Sequence, residues 1–133
     1  MDMKLKPIGI ISSPYKNKED APRQGRYCDK KSVITVFDEF SDGLEGLNLH
    51  KYYIILYWQD RAERDKLKVF PHGKTEKRGV FTTRAPVRPN PIGFCLVEII
   101  NMERNKITVK WLDALDGSPL LDIKPFWKDL DSI

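Results

Sequence analysis

The apolar segments of this chain are short, rich in β-branched and aromatic residues, and bounded by turn residues. The longest of them, Tyr52–Trp58, has the sequence YYIILYW, which is typical of a buried strand and is far shorter than the roughly 20 apolar residues of a membrane span. No such segment alternates with a long amphipathic helix. This pattern excludes a doubly wound parallel sheet and predicts an all-β fold, a small single-domain β-barrel with long loops and at most short helices.

Further strands are predicted wherever a short apolar run lies between turn signals. These segments are Lys6–Ser12, Ser32–Phe37, Gly79–Thr83, Phe94–Ile100, Ile107–Leu112 and Leu120–Ile123. Residues 16–31 are polar and contain Pro22 and Gly25, so they are expected to form a loop over the mouth of the barrel. One helical turn is expected within Ser41–Leu47, and Gln59–Lys68 is expected to be an exposed loop.

Composition narrows the class of protein further. A chain of 133 residues, 41% of them hydrophobic, suits one domain with one core. The first six residues are too few and too polar for a signal peptide, so a cytoplasmic protein is expected. The two cysteines form no CxxC pair, and the two histidines have no ligand partner at a suitable spacing. We therefore expect neither a disulfide framework nor a metal site.

Charge is distributed unevenly along the chain, although the net charge is only +4. Between Lys66 and Arg88 there are seven basic residues and one acidic residue, Glu76. Five aspartates lie between Asp113 and the C-terminus. A basic segment of this kind either meets phosphates or forms a solvated loop without a partner. The charge distribution alone leaves both interpretations open.

The segment Phe81–Gly93 contains the largest number of candidate functional residues. Its three prolines fix φ and remove backbone donors, so neither a helix nor a central strand can pass through it. A rigid, extended loop is therefore expected, carrying Arg84 and Arg88 together with Asn90, which lies between two prolines. Such a loop is a preorganised binding edge. The alternative is a proline-rich connector whose arginines are solvated.

A second candidate segment is Asp116–Pro125. Its Asp-Gly start predicts a tight turn whose backbone can approach a ligand closely, although Asp-Gly turns are also common in hairpins. Asp122 and Lys124 are two residues apart, so their side chains share one strand face. They could form either an ion pair or a polar site there. Glu98, in the predicted strand Phe94–Ile100, either faces the barrel interior or pairs with a neighbouring lysine or arginine.

Four segments occur in the order found in a known family. They are Ile8–Lys16, Pro22–Gln24, Gly79–Arg84 continuing into Arg88–Gly93, and Asp116–Pro119 with Asp122–Pro125. The sequences RPNPIG and DIKP are specific in combination. Over nearly its whole length the chain resembles the TsaA-like, or TrmO, family of tRNA N6-threonylcarbamoyladenosine methyltransferases.

The resemblance implies a β-barrel methyltransferase without a Rossmann sheet, and no GxGxxG motif follows any strand of this chain. It implies a homodimer that uses S-adenosyl-L-methionine as its cofactor. It also implies a role in tRNA processing and modification, namely methylation of threonylcarbamoyladenosine next to the anticodon. Bacterial members often continue into a further C-terminal domain. Here we expect a single domain over residues 1–133 without that addition.

The resemblance also implies which residues contact the cofactor, and these lie in loops, in turns and on one strand. They are Pro22, Arg23, Gln24, Gln59, Asp60, Arg84, Phe94, Asp116, Gly117, Ser118 and Pro119. Many members carry a histidine after an aromatic residue at the position where this chain has Gln59. An amide can donate or accept a hydrogen bond there, but it cannot act as a base.

Contacts with the substrate RNA are expected from basic and polar residues near the proline-rich loop and on the last strand. They are Lys74, Lys77, Arg78, Arg88, Asn90 and Lys124. Asp122 and Glu98 are the candidates for a general base. The acceptor nitrogen is conjugated to a carbonyl and loses its proton more easily than in plain adenine, so a strong base is not required.

Three other functions fit the same sequence. A module that binds S-adenosyl-L-methionine without catalysis would bind the ligand and transfer nothing. An RNA-binding barrel would bind RNA in a salt-dependent manner and have no affinity for S-adenosyl-L-methionine. A methyltransferase acting on a small molecule is the third alternative, because the identity of the methyl acceptor rests on the resemblance alone.

Overall fold

The computed structural model describes all 133 residues of the chain, in eight strands and one short helix. The strands are β1 (Gly9–Ser12), β2 (Lys31–Val36), β3 (Tyr52–Trp58), β4 (Lys68–Val69), β5 (Arg78–Gly79), β6 (Ile92–Glu103), β7 (Lys106–Lys110) and β8 (Pro119–Pro125). The helix α1 spans Lys128–Asp131. Five short 3-10 segments lie in three of the connections, at Lys18–Asp20, Gly25–Tyr27, Asp38–Leu44, Leu47–Leu49 and Val80–Thr82. None of the helices has the length and apolar character that a membrane crossing requires.

Six strands close into an antiparallel barrel in the order β1-β2-β7-β6-β3-β8, with β8 pairing back onto β1. The small all-β barrel predicted from the sequence is thereby confirmed. The other two strands, β4 and β5, pair with each other as a separate hairpin. The β1–β2, β3–β4 and β7–β8 connections leave the same end of the barrel, called the upper end below. The β2–β3 and β6–β7 connections leave the lower end.

The barrel interior is a single hydrophobic core. Alternate residues of a strand point inward, and every second residue of β3 is accordingly buried. Leu44 and Leu47, from the β2–β3 connection, extend the core at the lower end. Leu112 and Ala114, from the β7–β8 connection, extend it at the upper end. The β7–β8 connection is therefore packed into the barrel, which fixes the position of the residues next to it.

One predicted strand, Gly79–Thr83, is wrong. Only its first residue is in a strand, and the chain then forms the 3-10 turn Val80–Thr82. Thr82 Oγ1 donates to the Gly79 carbonyl at 2.8 Å, and Thr83 Oγ1 donates to the Val80 carbonyl at 2.9 Å. Threonine side chains that bond to the backbone three residues earlier close a turn in place of a strand ladder.

Tyr52–Trp58 has the predicted bounds, and the remaining predicted strands are present with shifted ends. β6 continues to Glu103 because Asn101–Glu103 pair with β7 in a hairpin. β7 ends at Lys110, two residues earlier than predicted, since Trp111 has a φ of 78° and turns the chain out of the sheet. Such a backbone conformation is rare for a bulky residue and marks a position that the surrounding structure holds in place.

Candidate functional site

The β1–β2 loop packs on the upper end of the barrel. This is the position over the barrel mouth that the sequence predicted. An ideal Cβ built on Gly25 would lie 1.5 Å from the carbonyl oxygen of Trp111 and 3.2 Å from Sγ of Cys95. Gly25 therefore packs directly against β6 and the β7–β8 connection with no intervening space. Pro22–Gln24, which immediately precede Gly25, are held at the same end of the barrel.

The end of β3 is tied to the β7–β8 turn. The backbone amide of Gln59 donates to the Pro91 carbonyl at 2.8 Å. Arg61 Nη2 donates to the Asp116 carbonyl at 2.8 Å and to Ser118 Oγ at 3.4 Å. Arg61 was not selected by the sequence analysis, although it follows the implied contacts Gln59 and Asp60 directly. It joins that pair to the turn at Asp116–Pro119.

The turn itself is held by a network around Asp116. Its carboxylate accepts a hydrogen bond from the Ser13 amide at 2.9 Å and one from Lys16 Nζ at 2.8 Å. These two bonds, that from Lys16 first, lower the pKa of Asp116. Gly117 adopts a φ of 84°, which favours glycine. The tight turn predicted from Asp-Gly is present and rigidly placed.

The proline-rich loop is rigid, as predicted, because two arginines brace it. Arg88 donates to three carbonyl oxygens of the same loop at 2.7 to 3.1 Å. Arg64 donates to the Pro89 carbonyl at 2.7 Å and to Asn90 Oδ1 at 3.2 Å. Arg88 and Asn90, both expected to meet RNA, are thus engaged within the protein. Their side chains shape the loop in this structure.

Arg84 and Phe94 are both exposed at the upper end. Phe94 lies on the outer face of β6 and is 52% exposed. The guanidinium carbon of Arg84 lies 5.6 Å from the centre of its ring, within the range of a cation–π contact. An aromatic face and a guanidinium fork are therefore available side by side.

A half-buried aspartate, Asp113, lies between these segments and was missed by the sequence analysis. Asp113 Oδ1 accepts a hydrogen bond from Tyr57 Oη at 2.6 Å. The Cys95 thiol and the Gly25 amide also lie beside this carboxyl, and the thiol donates to the Trp111 carbonyl at 2.9 Å. Burial raises the pKa of Asp113, and the hydrogen bond from Tyr57 is the largest opposing influence. The available signal was the position of Asp113 between Leu112 and an alanine, both of which are core residues.

The two side chains that surround Asp113 remain protonated at neutral pH. Burial raises the pKa of the Tyr57 hydroxyl, and the neighbouring charge of Asp113 raises it further. Burial likewise raises the pKa of the Cys95 thiol to about 12. Both groups therefore act as neutral hydrogen-bond donors and do not serve as nucleophiles or bases in this state.

The two candidate bases lie on the outer face of the barrel in ion pairs. Glu98 is 7% exposed and lies 3.0 Å from Lys51 Nζ and 2.8 Å from Lys110 Nζ. The hydrogen bond from Lys110, followed by that from Lys51, lowers the pKa of Glu98, which makes it a weaker base. Asp122 lies 3.8 Å from Lys124 Nζ and is half exposed.

The basic residues expected to contact RNA lie mainly on the β4–β5 hairpin. Lys74, Lys77 and Arg78 are all exposed there. Lys77 Nζ lies 5.4 Å from the ring centre of Phe70, and Arg78 makes only a long contact of 3.5 Å with the Thr82 carbonyl. These three cations are free of carboxylate partners. Lys124 lies apart from the hairpin, on β8.

Two clefts lie at the lower end, away from the implied cofactor contacts. One of about 580 Å³ is lined by Asp38–Glu45 and the β6–β7 turn. A second of about 400 Å³ adjoins it and is lined by residues such as Phe40 and Leu44. Neither contains any of the implied cofactor residues. No group of three or more His, Cys, Asp or Glu side chains is close enough to hold a metal ion.

Comparisons with known proteins show the family of this chain. The sequence model of a family described as the tRNA-methyltransferase O N-terminal domain matches residues 10–132. A protein of Archaeoglobus fulgidus named as an S-adenosyl-L-methionine-binding protein is 57% identical over 131 residues, which cover 98% of this chain and 94% of the relative. A probable S-adenosyl-L-methionine-binding protein of Methanothermobacter thermautotrophicus is 49% identical, with 100% and 96% covered.

Solved structures share the fold. A crystal structure of TrmO superimposes with a TM-score of 0.84 and 32% identity, and a structure of TrmO from Pseudomonas aeruginosa superimposes with a TM-score of 0.81 and 30% identity. Both matches cover 100% of this chain. The chain spans 61% and 60% of the lengths of those two proteins.

Proposed function

Because the chain belongs to the family of the tRNA-methyltransferase O N-terminal domain, we propose that it is an S-adenosyl-L-methionine-dependent tRNA methyltransferase. The acceptor that we infer is N6 of threonylcarbamoyladenosine next to the anticodon, which places the protein in the cytoplasm. The observation that carries the proposal is the convergence of four separate segments at the upper end: Pro22–Gln24, Gln59–Asp60, the Arg84–Phe94 pair and Asp116–Pro119.

The donor set of this upper end fits S-adenosyl-L-methionine. The cofactor has an aromatic adenine, a carboxylate and two cationic groups, an ammonium and a sulfonium. Phe94 offers an exposed aromatic face, and Arg84 offers a fork that suits a carboxylate. The carboxyl of Asp113 and the carbonyl-rich turn around Asp116 offer acceptors for the cations. A site with one aromatic surface and a few convergent polar groups is the usual form of a cofactor pocket.

When bound, the cofactor supplies an activated methyl group, and the residues of this chain orient donor and acceptor. The braced proline-rich loop and the Asp116–Pro119 turn require no rearrangement to present their donors. Such preorganisation lowers the entropic part of the barrier, because the reacting groups are aligned before the reaction. The rigidity contributed by Arg64, Arg88 and Arg61 is therefore part of the proposed mechanism.

Asp122 is the better of the two candidate bases. Both Asp122 and Phe94 are paired with Leu56, from opposite sides of β3. Residues directly opposite one another share a sheet face, which places the Asp122 carboxylate about 10 Å from Phe94 on the outer face. Glu98 is held by two lysines and has a lowered pKa. The acceptor nitrogen, conjugated to a carbonyl, needs at most a weak base.

Replacing Arg84 with alanine is expected to weaken binding of S-adenosyl-L-methionine by about 1–3 kcal/mol, the usual loss for a hydrogen-bonded charged partner. Isothermal titration calorimetry measures this directly. Lys106→Ala, an exposed change at the lower end, is the matched control and should bind as the unmodified protein does. Equal affinity of the Arg84 variant and the unmodified protein would remove Arg84 from the site, and no binding by the unmodified protein would reject the proposed enzyme.

A transfer assay distinguishes an enzyme from a binding module, which would also agree with the names of the two archaeal relatives. Labelled S-adenosyl-L-methionine is incubated with bulk tRNA from cells that make the threonylcarbamoyl modification and with tRNA from cells that lack it. Label should enter only the tRNA from cells that make the threonylcarbamoyl modification. Binding without any transfer would favour the module, and equal labelling of both tRNAs would mean a different acceptor.

We further infer a homodimer formed through the outer face of β3 and β6. Three apolar pairs line this face: Ile54 with Leu96, Leu56 with Phe94, and Trp58 with Ile92. Ile92 and Phe94 remain 42% and 52% exposed. A contiguous apolar strip of this kind suits a self-complementary contact between two copies, and because it includes Phe94 the proposed interface borders the cofactor site.

Light scattering at micromolar concentration is expected to give twice the monomer mass of 15.5 kDa. Ile92→Asp should shift the mass to that of a monomer, because it places a charge in the apolar strip. Ile10→Asp is the matched control, since Ile10 is 41% exposed on β1, outside the strip. A monomeric mass for the unmodified protein, or dissociation by both variants, would contradict the assignment of this interface.

A further inference from the structure

Residues adjacent to the four segments of the proposed cofactor site surround one side chain, that of Asp113. Tyr57, which hydrogen-bonds to the carboxyl, lies two residues before Gln59. Cys95 follows Phe94, and Gly25 follows Pro22–Gln24. Asp113 itself precedes the Asp116 turn by three residues. No other carboxyl group at this end of the barrel joins the same set of elements.

The charge of this carboxyl has no cationic partner. No lysine, arginine or histidine nitrogen lies within 4.0 Å of Asp113, whereas Asp116 and Glu98 are both paired with lysines. The groups that face it are neutral donors, Tyr57 from β3 and Cys95 from β6. The other titratable or charged groups nearby are Tyr15 and Cys28 from the β1–β2 loop, which bond to each other, and Arg84.

We propose that Asp113 gives this site its preference for a ligand that carries a sulfonium cation over the neutral thioether left after methyl transfer. The inference rests on the proposed binding of S-adenosyl-L-methionine. Asp113 is half-buried, so its carboxyl is enclosed by protein while the residue keeps an edge open to solvent. A ligand seated among the four segments can approach that edge.

The physical reason is that a sulfonium group has no hydrogen to donate, so only its charge can be recognised. Attraction between unit charges is several times stronger at a partly buried site than in water. When the methyl group moves to the acceptor nitrogen, the sulfur keeps the bonding electron pair and the nitrogen loses a proton. The sulfur becomes neutral, and its attraction to Asp113 ends. The product is thereby bound less tightly than the donor, which favours its release.

The same arrangement predicts a pH dependence with a defined sign. Burial without a cation raises the pKa of Asp113, so the carboxyl is protonated over a wider acidic range than an ordinary aspartate. A sulfonium favours the charged form and lowers that pKa again. Binding of the donor should therefore release protons in the acidic range, and its affinity should increase as pH rises. Binding of the thioether product should release no protons, and its affinity should not change with pH.

The test is calorimetry of S-adenosyl-L-methionine and S-adenosylhomocysteine at several values between about pH 5 and about pH 7, in two buffers of different ionisation enthalpy. The unmodified protein should prefer the donor by about 10- to 100-fold at the upper pH, with a preference that falls on acidification. Asp113→Asn keeps an acceptor for Tyr57 and loses the charge. It should bind both ligands with similar affinity at every pH and release no protons with the donor.

Two further variants keep the result interpretable. Tyr57→Phe removes the hydrogen bond that lowers the pKa of Asp113, so the pH dependence of the preference should move to higher pH. Asp129→Asn removes the same charge from the exposed helix α1 and should leave both preference and pH dependence intact. Circular dichroism checks that each variant is folded.

Each outcome of this experiment decides one of the two proposals. A donor preference in Asp113→Asn equal to that of the unmodified protein, with both proteins binding both ligands, would overturn the role of Asp113 and leave the cofactor site intact. A pH dependence that Tyr57→Phe does not move would also overturn it. Failure of the unmodified protein to bind either ligand would instead reject the proposed function.

Discussion

Gly25→Ala is expected to lower the free energy of unfolding by about 2–3 kcal/mol, the upper part of the range for overpacked positions, and to weaken binding of S-adenosyl-L-methionine at least about tenfold. The added Cβ would lie 1.5 Å from the Trp111 carbonyl oxygen. This closest contact is with the backbone of Trp111, so no flexible side chain can move aside to relieve it. The β1–β2 loop must lift from the barrel, which takes Pro22–Gln24 away from the site and withdraws the Gly25 amide from Asp113.

Chemical denaturation and calorimetry measure the two effects. Gly43→Ala is the matched control, because no heavy atom lies within 4 Å of a Cβ added there. It should leave both quantities within about 0.5 kcal/mol of the unmodified protein, as for most surface changes. If Gly25→Ala kept full stability, the loop would not be docked as described. If it lost stability and kept full affinity, Pro22–Gln24 would not contribute to the cofactor site.

Replacing Lys74, Lys77 and Arg78 together with alanine is expected to raise the apparent KM for tRNA by about 10- to 100-fold and to flatten its dependence on salt. The three cations project from the β4–β5 hairpin without carboxylate partners. Cations on a rim beside a pocket meet phosphates without reading sequence, and the target base lies in a single-stranded loop from which it can be splayed out. Each lost phosphate contact should reduce the salt slope by about 0.7 to 1.

The kinetics are measured at several salt concentrations, and cofactor affinity is measured alongside them. Affinity for S-adenosyl-L-methionine should be unchanged. A control variant with alanine at Lys4, Lys106 and Lys128 loses the same charge from other exposed positions and should retain most of the activity. Full activity and an unchanged salt slope in the hairpin variant would show that this stretch is a solvated loop. Loss of cofactor binding would place the hairpin in the cofactor pocket.

Several features followed from local sequence patterns. The strand Tyr52–Trp58 has the predicted bounds, because a β-branched and aromatic run between polar residues has one favourable conformation. The rigidity of the proline-rich loop followed from the fixed φ of proline. The absence of long amphipathic helices left a closed barrel as the way to bury these strands. The family followed from motifs that keep their order along nearly the whole chain.

Other features depended on contacts between distant parts of the chain. The strand predicted at Gly79–Thr83 became a turn because two threonine side chains bond to the backbone three residues earlier. Arg88 was expected to contact RNA. In the folded protein its guanidinium group donates to three backbone carbonyl oxygens. A periodic pattern describes burial along one segment and carries no information about such partners.

Asp113 shows most clearly what only the tertiary structure decided. In the sequence, Asp113 lies between two core residues and is one of five aspartates in an acidic C-terminal segment. Closure of the barrel places it against Tyr57 and Cys95, and docking of the β1–β2 loop adds the Gly25 amide. The energy of a carboxylate depends on which charges and dipoles surround it in space. Those neighbours lie 18 to 88 residues away along the chain, so local sequence determined the strands and the loop, whereas folding determined the chemistry of the site.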